Sequence, residues 1–255
     1  MSLVYPEICA CAVCRKEAQC YEIVSTSAFG YPDTDFRPPR MARGMIFFQI
    51  SECPHCGYVA RDLKKAPPNP ELLSSDDYVN ASRLKFKSKL ALKFFKRSVL
   101  DREHPMDCFP DLRDAAWACD DADDTENASR MRKLAVECID KILEEKPYEK
   151  KNERKDAGDE EKGTGDPEML VSYLTVVKFD FMRRAGLFSK FEADYAKLLK
   201  NPLKTRGDAS EHDEIIRYRM SVIEFLHKHA LEKDDDRLVC FLPKRPRKKR
   251  RAKRS

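Results

Sequence analysis

Two pairs of cysteines, each with two residues between its members, have the spacing of metal ligands. The first pair is Cys11 and Cys14, and the second is Cys53 and Cys56 in the run Cys-Pro-His-Cys-Gly. Two thiolates three positions apart can hold one metal ion, because the tight turn between them points both sulfurs inward. Two such pairs supply the four sulfurs of a closed tetrahedral zinc site. The sequence therefore predicts that these four cysteines bind one structural Zn²⁺.

Two alternatives to this ligand set stay open. Cys9 can replace Cys11, although Cys9 and Cys11 lack the two-residue spacer. The second pair, with Pro54 and His55 between its cysteines, also resembles the active site of thiol oxidases of the thioredoxin superfamily, where a helix N-terminus lowers the thiol pKa. Against redox chemistry, that fold needs further strands, whereas the chain after residue 70 has helical patterns. Gly57 suits a tight turn, and His55 is expected on the surface.

The elements that must position the two pairs include β structure. Between Cys14 and Cys53 lie 38 residues, against about 15–20 in common zinc modules, so ordered chain must bridge them. Strands are predicted over Tyr21–Ala28 and Gly44–Ser51, and the second leads directly into Cys53. A small sheet with a cysteine turn at each end is the architecture of a zinc ribbon.

The segment around the second pair resembles a known family. Residues 30–38 read Gly-Tyr-Pro-Asp-Thr-Asp-Phe-Arg-Pro, and residues 53–60 read Cys-Pro-His-Cys-Gly-Tyr-Val-Ala. Both resemble domain of unknown function 2225, a mainly bacterial family whose cysteine-bearing head is followed by helices similar to tetratricopeptide repeats. The resemblance is close over residues 11–60, and residues 183–188 are similar to the family's turn between paired helices. The chain departs from the family at Ala12 and Arg15, where proline is usual and glycine is frequent. The resemblance implies a fold but no assigned activity.

After the head, apolar spacing of three and four residues predicts a helical body. The predicted helices are about Ser75–Arg102, Pro110–Asp121 and Thr125–Lys146, a pair within Asp166–Pro202 that turns at Gly186, and Glu211–Lys233. The paired unit has 37 residues, near the ~34 of a tetratricopeptide repeat. The predicted fold class is mainly α, with a small β zinc-ribbon-like head and a tetratricopeptide-like body of helical pairs.

These patterns divide the chain into segments. Residues 1–65 form the predicted zinc-binding head, residues 66–74 a proline-rich linker, and residues 75–235 the helical domain with a flexible, highly charged loop at 148–166. Residues 243–255 form a predicted disordered basic tail. The stretch 244–254 has nine basic residues and no acidic ones. The whole chain has a net charge of +5, but the rest of it has 40 basic against 44 acidic residues. The tail can therefore neutralise phosphates, while the body is mildly acidic.

The sequence also gives an expectation for the cellular compartment. The first residues have neither a basic start nor an apolar run, and no stretch approaches the ~20 apolar residues of a membrane span. We expect a soluble, cytoplasmic protein whose ten cysteines are reduced or metal-bound. In a nucleated host the basic tail would be read as a nuclear localisation signal. Cys108, Cys119 and Cys138 are expected in or near the helical core.

The chain shows no nucleophile elbow, phosphate-binding glycine loop or HExxH motif. The leading functional hypothesis is a non-enzymatic adaptor or scaffold, with zinc stabilising the head and a protein or peptide partner in a groove of the helical body. The alternative is binding of nucleic acid or ribonucleoprotein through the tail and the zinc head. A thiol redox enzyme using Cys53 and Cys56 is a minor alternative.

Overall fold

The computed structural model describes residues 2–27, 29–146, 166–205, 207 and 210–231. Over these residues the chain is mainly helical with a small amount of antiparallel β structure, which confirms the coarse fold class. The predicted flexible loop, apart from Asp166, and the predicted basic tail lie outside the described residues. None of the described helices is long and apolar enough to cross a membrane.

The β structure consists of two short antiparallel pairs, each closed by a turn that contains one cysteine pair. The strands are β1 (Leu3–Ala10), β2 (Glu17–Ser25), β3 (Ser51–Glu52) and β4 (Val59–Ala60). Strand β1 pairs with β2 in a register that places Cys9 opposite Ala18, and β3 pairs with β4. The Cys11–Cys14 turn therefore joins β1 to β2, and the Cys53–Cys56 turn joins β3 to β4.

Helices form the rest of the described chain. They are α1 (Arg40–Arg43), α2 (Asp76–Val79), α3 (Lys89–Leu100), α4 (Pro105–Asp121), α5 (Thr125–Glu145), α6 (Pro167–Arg184), α7 (Phe188–Lys200) and α8 (Glu211–Leu231). Short 3₁₀ helices cover Gly44–Phe48, Pro70–Ser74 and Ala81–Leu84. Gly186 has φ +70° between α6 and α7, as expected for the predicted turn of a helical pair.

The predicted strand Gly44–Ser51 is wrong, because most of it is the 3₁₀ helix Gly44–Phe48. Its buried apolar residues are Met45, Ile46 and Ile50, and the burial of two adjacent residues does not fit the alternation of a strand. The predicted strand Tyr21–Ala28 corresponds to β2, which begins four residues earlier. Strand β1 was not predicted.

The predicted long helix Ser75–Arg102 is also wrong, because the chain breaks between α2 and α3. Lys85 adopts a left-handed conformation with φ +53°, which an α-helix cannot contain. The Ser88 side chain then accepts a hydrogen bond from the backbone N–H of Ala91 and caps α3. The following helix, α4, begins at Pro105 and includes Pro110, so it starts five residues before the predicted Pro110.

The head packs against the helical body through shared hydrophobic clusters. Ile46, Ile50 and Val59 belong to the same buried cluster as residues of α3 to α8. A second cluster joins the cysteine turns to apolar residues of α2 and α3. Arg61, just after β4, donates hydrogen bonds to Asp111 and Asp114 of α4 at 2.8 and 2.6 Å. The division into a head and a separately folding helical domain stays a prediction.

Candidate metal centre

The two cysteine turns have the same backbone hydrogen bonds. In the first turn, Cys11 N–H donates to Lys16 O at 2.9 Å and Arg15 N–H donates to Cys11 O at 2.8 Å. In the second turn, Cys53 N–H donates to Tyr58 O at 2.8 Å and Gly57 N–H donates to Cys53 O at 2.9 Å. Two segments separated by the whole of β2 and its connection thus form matching loops. Such loops hold both cysteines of a pair on the same side.

The turns bring the four predicted ligands together. The Sγ atoms of Cys11 and Cys56 are 3.7 Å apart, and those of Cys14 and Cys53 are 3.6 Å apart. All four sulfurs lie within 4.8 Å of one another. Four sulfurs at the Zn–S distance of about 2.3 Å in a tetrahedron would be about 3.8 Å apart. The four-thiol cluster is therefore close enough to bind a metal ion and compatible with zinc.

Side chains of helices α2 and α3 form hydrogen bonds with the backbone of the second cysteine turn. The Tyr78 hydroxyl of α2 donates to Gly57 O at 2.9 Å and accepts from Val59 N–H at 3.0 Å. The Lys96 ammonium of α3 donates to Gly57 O at 3.1 Å and lies 4.7 Å from the centre of the Tyr78 ring. Cys53 is fully buried, so the inner side of the cluster rests on the helical body. Sequence reasoning missed this support, because nothing local to Tyr78 or Lys96 indicates a distant turn.

The pKa values of two thiols in the cluster are shifted in opposite directions. Burial by itself raises the pKa of Cys53, but the backbone N–H groups of His55 and Cys56, together with hydrogen bonds to neighbouring thiols, lower the pKa of Cys53 to about 7. Burial raises the pKa of Cys56 to about 12, and its hydrogen bonds with the other three thiols act in the same direction. Four thiolates this close repel one another unless a metal ion neutralises them, and a coordinating thiol is then fully deprotonated.

The structure also places the residues of the alternatives. Cys9 forms a disulfide with Cys20 across β1 and β2, so Cys9 does not belong to the metal cluster. The expectation that all ten cysteines are reduced or metal-bound is wrong for these two. His55 is exposed, and its Nε2 lies 3.2 Å from Glu17 O, in agreement with a surface position. Cys53 and Cys56 lie in a turn between two strands, without the helix N-terminus on which the redox alternative relies. Cys108 and Cys119 are buried and Cys138 is half-buried in the helices, as predicted.

No protein-family model, curated protein or solved structure matches this chain. The resemblance to domain of unknown function 2225 therefore rests on the motifs quoted above. What the structure defines is a class of site, a four-cysteine cluster formed by two matching turns on a mainly helical protein.

The matching turns give a paired prediction. Arg15 and Gly57 occupy equivalent positions and both have positive φ, 63° and 71°. Arg15 is exposed, and left-handed backbone costs a non-glycine residue about 1–2 kcal/mol. Arg15→Gly should therefore raise the free energy of unfolding by about 0.5–1 kcal/mol, the remainder being lost to the flexibility of glycine in the unfolded chain.

The reverse change should have the opposite sign. A Cβ at Gly57 would meet only the Lys96 ammonium, at 3.9 Å, so Gly57→Ala introduces backbone strain without a clash. It should lower the free energy of unfolding by about 1 kcal/mol. Denaturant titration of both metal-loaded variants measures the two effects. A decrease for Arg15→Gly would show that the turns are not equivalent.

Proposed function

We propose that this protein is a non-enzymatic adaptor whose zinc-ribbon-like head presents a surface to a protein partner. The observation on which the proposal rests is the four-thiol cluster, which offers one cysteine sulfur for each of the four positions that a tetrahedral zinc would have. Structural zinc sites are closed in this way, whereas catalytic zinc keeps one position for water or substrate. The zinc would hold the two turns in place and supply folding energy rather than chemistry.

The distribution of exposed apolar side chains supports a binding role for the head. Most of the large apolar side chains that are exposed among the described residues lie in the head: Leu3, Tyr5, Ile8, Val13, Tyr21, Val24, Phe29, Tyr31 and Phe47. Ile8 and Tyr21 point to the same face of the β1–β2 hairpin, because Ile8 is opposite Gln19 and Pro6 is opposite Tyr21. Tyr21 also packs on Phe48, with ring centroids 5.1 Å apart. We call the surface of Pro6, Ile8 and Tyr21 the hairpin face.

The hairpin face can be tested against an apolar position on the helical body. Ile8 is 67% exposed and Leu199 of α7 is 59% exposed, so either can be replaced by lysine without breaking the core. The experiment captures proteins from the native host with full-length wild type, Ile8→Lys and Leu199→Lys, at low and high salt. A defined protein that resists salt and is lost with Ile8→Lys alone supports the proposal. Loss with Leu199→Lys alone would place the partner on the helical body, where the groove of a tetratricopeptide-like fold was expected. Retention by both variants would overturn the proposed surface.

Nucleic-acid binding is the second candidate, favoured by the nine basic residues in the stretch 244–254. This run contains no aromatic residue for stacking on bases, so it would bind charge rather than sequence. Duplex binding by the full-length protein should collapse between ~50 and ~200 mM salt, and a chain that ends at Leu242 should not bind. Equal binding by the shortened chain would locate a nucleic-acid site in the head or body. The capture experiment is therefore repeated with nuclease. If nuclease treatment removes every captured protein, the adaptor proposal fails.

A further inference from the structure

A second group of metal-ligand side chains lies far along the chain from the four cysteines, where two helices begin. Asp166 caps the N-terminus of α6 by accepting a hydrogen bond from Glu168 N–H at 3.0 Å. His212 is in the first turn of α8. Its Nε2 lies 3.1 Å from Asp166 Oδ2 and 3.4 Å from Glu168 Oε2. The three ligand atoms all lie within 4.8 Å of one another.

The environment of His212 distinguishes this group from an ordinary surface cluster. Its side chain is only 10% exposed. Within the described part of the chain, the buried Nε2 makes no hydrogen bond, despite its closeness to both carboxylates. Buried polar atoms nearly always have a hydrogen-bond partner or a ligand. A nitrogen that approaches two oxygens without the alignment of a hydrogen bond is placed as a metal ligand is.

The other ring nitrogen of His212 faces a second acidic side chain. Nδ1 lies 3.5 Å from Asp213 Oδ1, and Asp213 is fully buried. The other Asp213 oxygen accepts a hydrogen bond from Gly207 N–H at 2.8 Å, which holds the carboxylate in place. A metal-bound histidine typically has a carboxylate or carbonyl at its second nitrogen, which orients the ring. Asp213 therefore occupies the position of a supporting residue.

From this arrangement we infer that Asp166, Glu168 and His212 form a second metal site, which binds a divalent transition-metal ion such as zinc. Imidazole favours first-row transition metals, whereas Ca²⁺ and Mg²⁺ prefer shells of oxygen alone. Edges of a tetrahedral zinc shell with nitrogen and oxygen ligands at about 2.0–2.2 Å are about 3.3–3.6 Å long, close to the spacings of His212 Nε2 from the two oxygens.

The charges of the helix ends and those of the side chains act in opposite directions on an ion at this position. The N-termini of α6 and α8 each present about half a positive charge, which opposes a cation. The two ligand carboxylates are full negative charges, and Asp213 adds a third. Three protein ligands leave one tetrahedral position for water, so this ion should exchange faster than one held by four thiolates. By binding side chains from both helices, the ion would hold the first turn of α6 against the first turn of α8.

The test measures bound metal on the full-length protein. Wild type, His212→Ala, Glu168→Gln and the control His104→Ala, whose histidine is exposed, are dialysed against buffered free Zn²⁺ and analysed for metal. Wild type and His104→Ala should each bind one more zinc per chain than His212→Ala and Glu168→Gln. Asp213→Asn should weaken this additional zinc about 10- to 100-fold, as loss of a supporting residue does.

Cobalt separates the two sites without any substitution. Co²⁺ in the four-thiol cluster gives intense sulfur-to-metal charge transfer, whereas Co²⁺ bound by nitrogen and oxygen gives only weak visible bands. In wild type, a further equivalent of Co²⁺ should bind and add weak bands after the thiolate bands have saturated. If wild type and His212→Ala bind equal amounts of zinc and cobalt, the proposal is overturned, and His212 only contacts the two carboxylates without a metal ion. The thiolate bands report on the four-cysteine site independently in every sample.

Discussion

Replacing Cys53 by serine should remove the tightly held zinc and unfold the head, while the helices keep most of their circular dichroism. Structural zinc contributes about 10–16 kcal/mol in small modules, whereas whole domains are stable by only about 5–15 kcal/mol. The strands that flank the Cys53–Cys56 turn cannot compensate for that loss, because β3 and β4 have two residues each. The measurements are zinc content after dialysis against a weak chelator, and hydrogen exchange of the amides of Cys53 and Gly57, which are bonded within the turn.

The control for this experiment is a cysteine outside the cluster. Cys138 of α5 is half-buried, and its sulfur contacts that of Cys108 at 3.6 Å. Cys138→Ser should retain one tightly held zinc and slow exchange in the head. A Cys53→Ser protein that exchanges as slowly as wild type would show that the head does not depend on metal. Wild-type protein that holds no zinc and yet has a folded head would refute the zinc site itself.

The four ligands could be predicted from the sequence because each half of the site is local. Two residues between paired cysteines determine a turn, and the turn determines where the sulfurs point. Arg15 and Gly57 occupy the same place after their cysteine pairs, but the left-handed conformation of Arg15 could not be predicted, because an arginine gives no signal of it. The second metal site that we propose could not be predicted for a different reason. Its ligands come from two helices that begin more than forty residues apart, and neither start contains a recognisable metal motif.

The errors in the fold have a common physical cause. An apolar run such as residues 45–50 is compatible with a strand or with one side of a helical turn, and only its packing partners decide between them. The long predicted helix joined two elements, α2 and α3, which are separated by the left-handed residue Lys85. Phe94 of α3 lies in the main cluster, whereas Tyr78 of α2 packs beside the cysteine turns.

The Asp-Thr-Asp-Phe segment is a motif whose role depends entirely on tertiary structure. Asp35 is fully buried, and its Oδ1 accepts a hydrogen bond from the backbone N–H of Arg37 at 3.1 Å. Its other oxygen accepts from Trp117 Nε1 of α4 at 2.7 Å and from Arg184 of α6 at 3.3 Å. These partners are 82 and 149 residues away in the sequence. One carboxylate thus ties the segment after β2 to two helices of the body.

Replacing Asp35 by alanine should lower the free energy of unfolding by about 3–5 kcal/mol, the loss typical of breaking a buried ion pair from one side. Trp117 Nε1 and Arg184 Nη1 would lose a shared acceptor, while Arg184 Nη2 would keep its hydrogen bond to Asp120 at 2.8 Å. Burial, followed by the charge of Asp180, raises the pKa of Asp35, so the negative charge is itself costly and the main loss comes from the unpaired donors. Asp35→Asn keeps an acceptor oxygen of the same shape and should therefore cost less than Asp35→Ala.

The matched control is an ion pair of the same type at the surface. Asp77 of α2 pairs with Arg102 at 2.7 Å, and its side chain is 63% exposed. Asp77→Ala should change stability by about 0–1 kcal/mol, because water screens the pair and replaces its hydrogen bonds. Denaturant unfolding followed by the fluorescence of Trp117, the only tryptophan, measures all three variants. Equal small losses for Asp35→Ala and Asp77→Ala would mean that water reaches Arg184 once Asp35 is removed, and that the motif does not hold the head to the body.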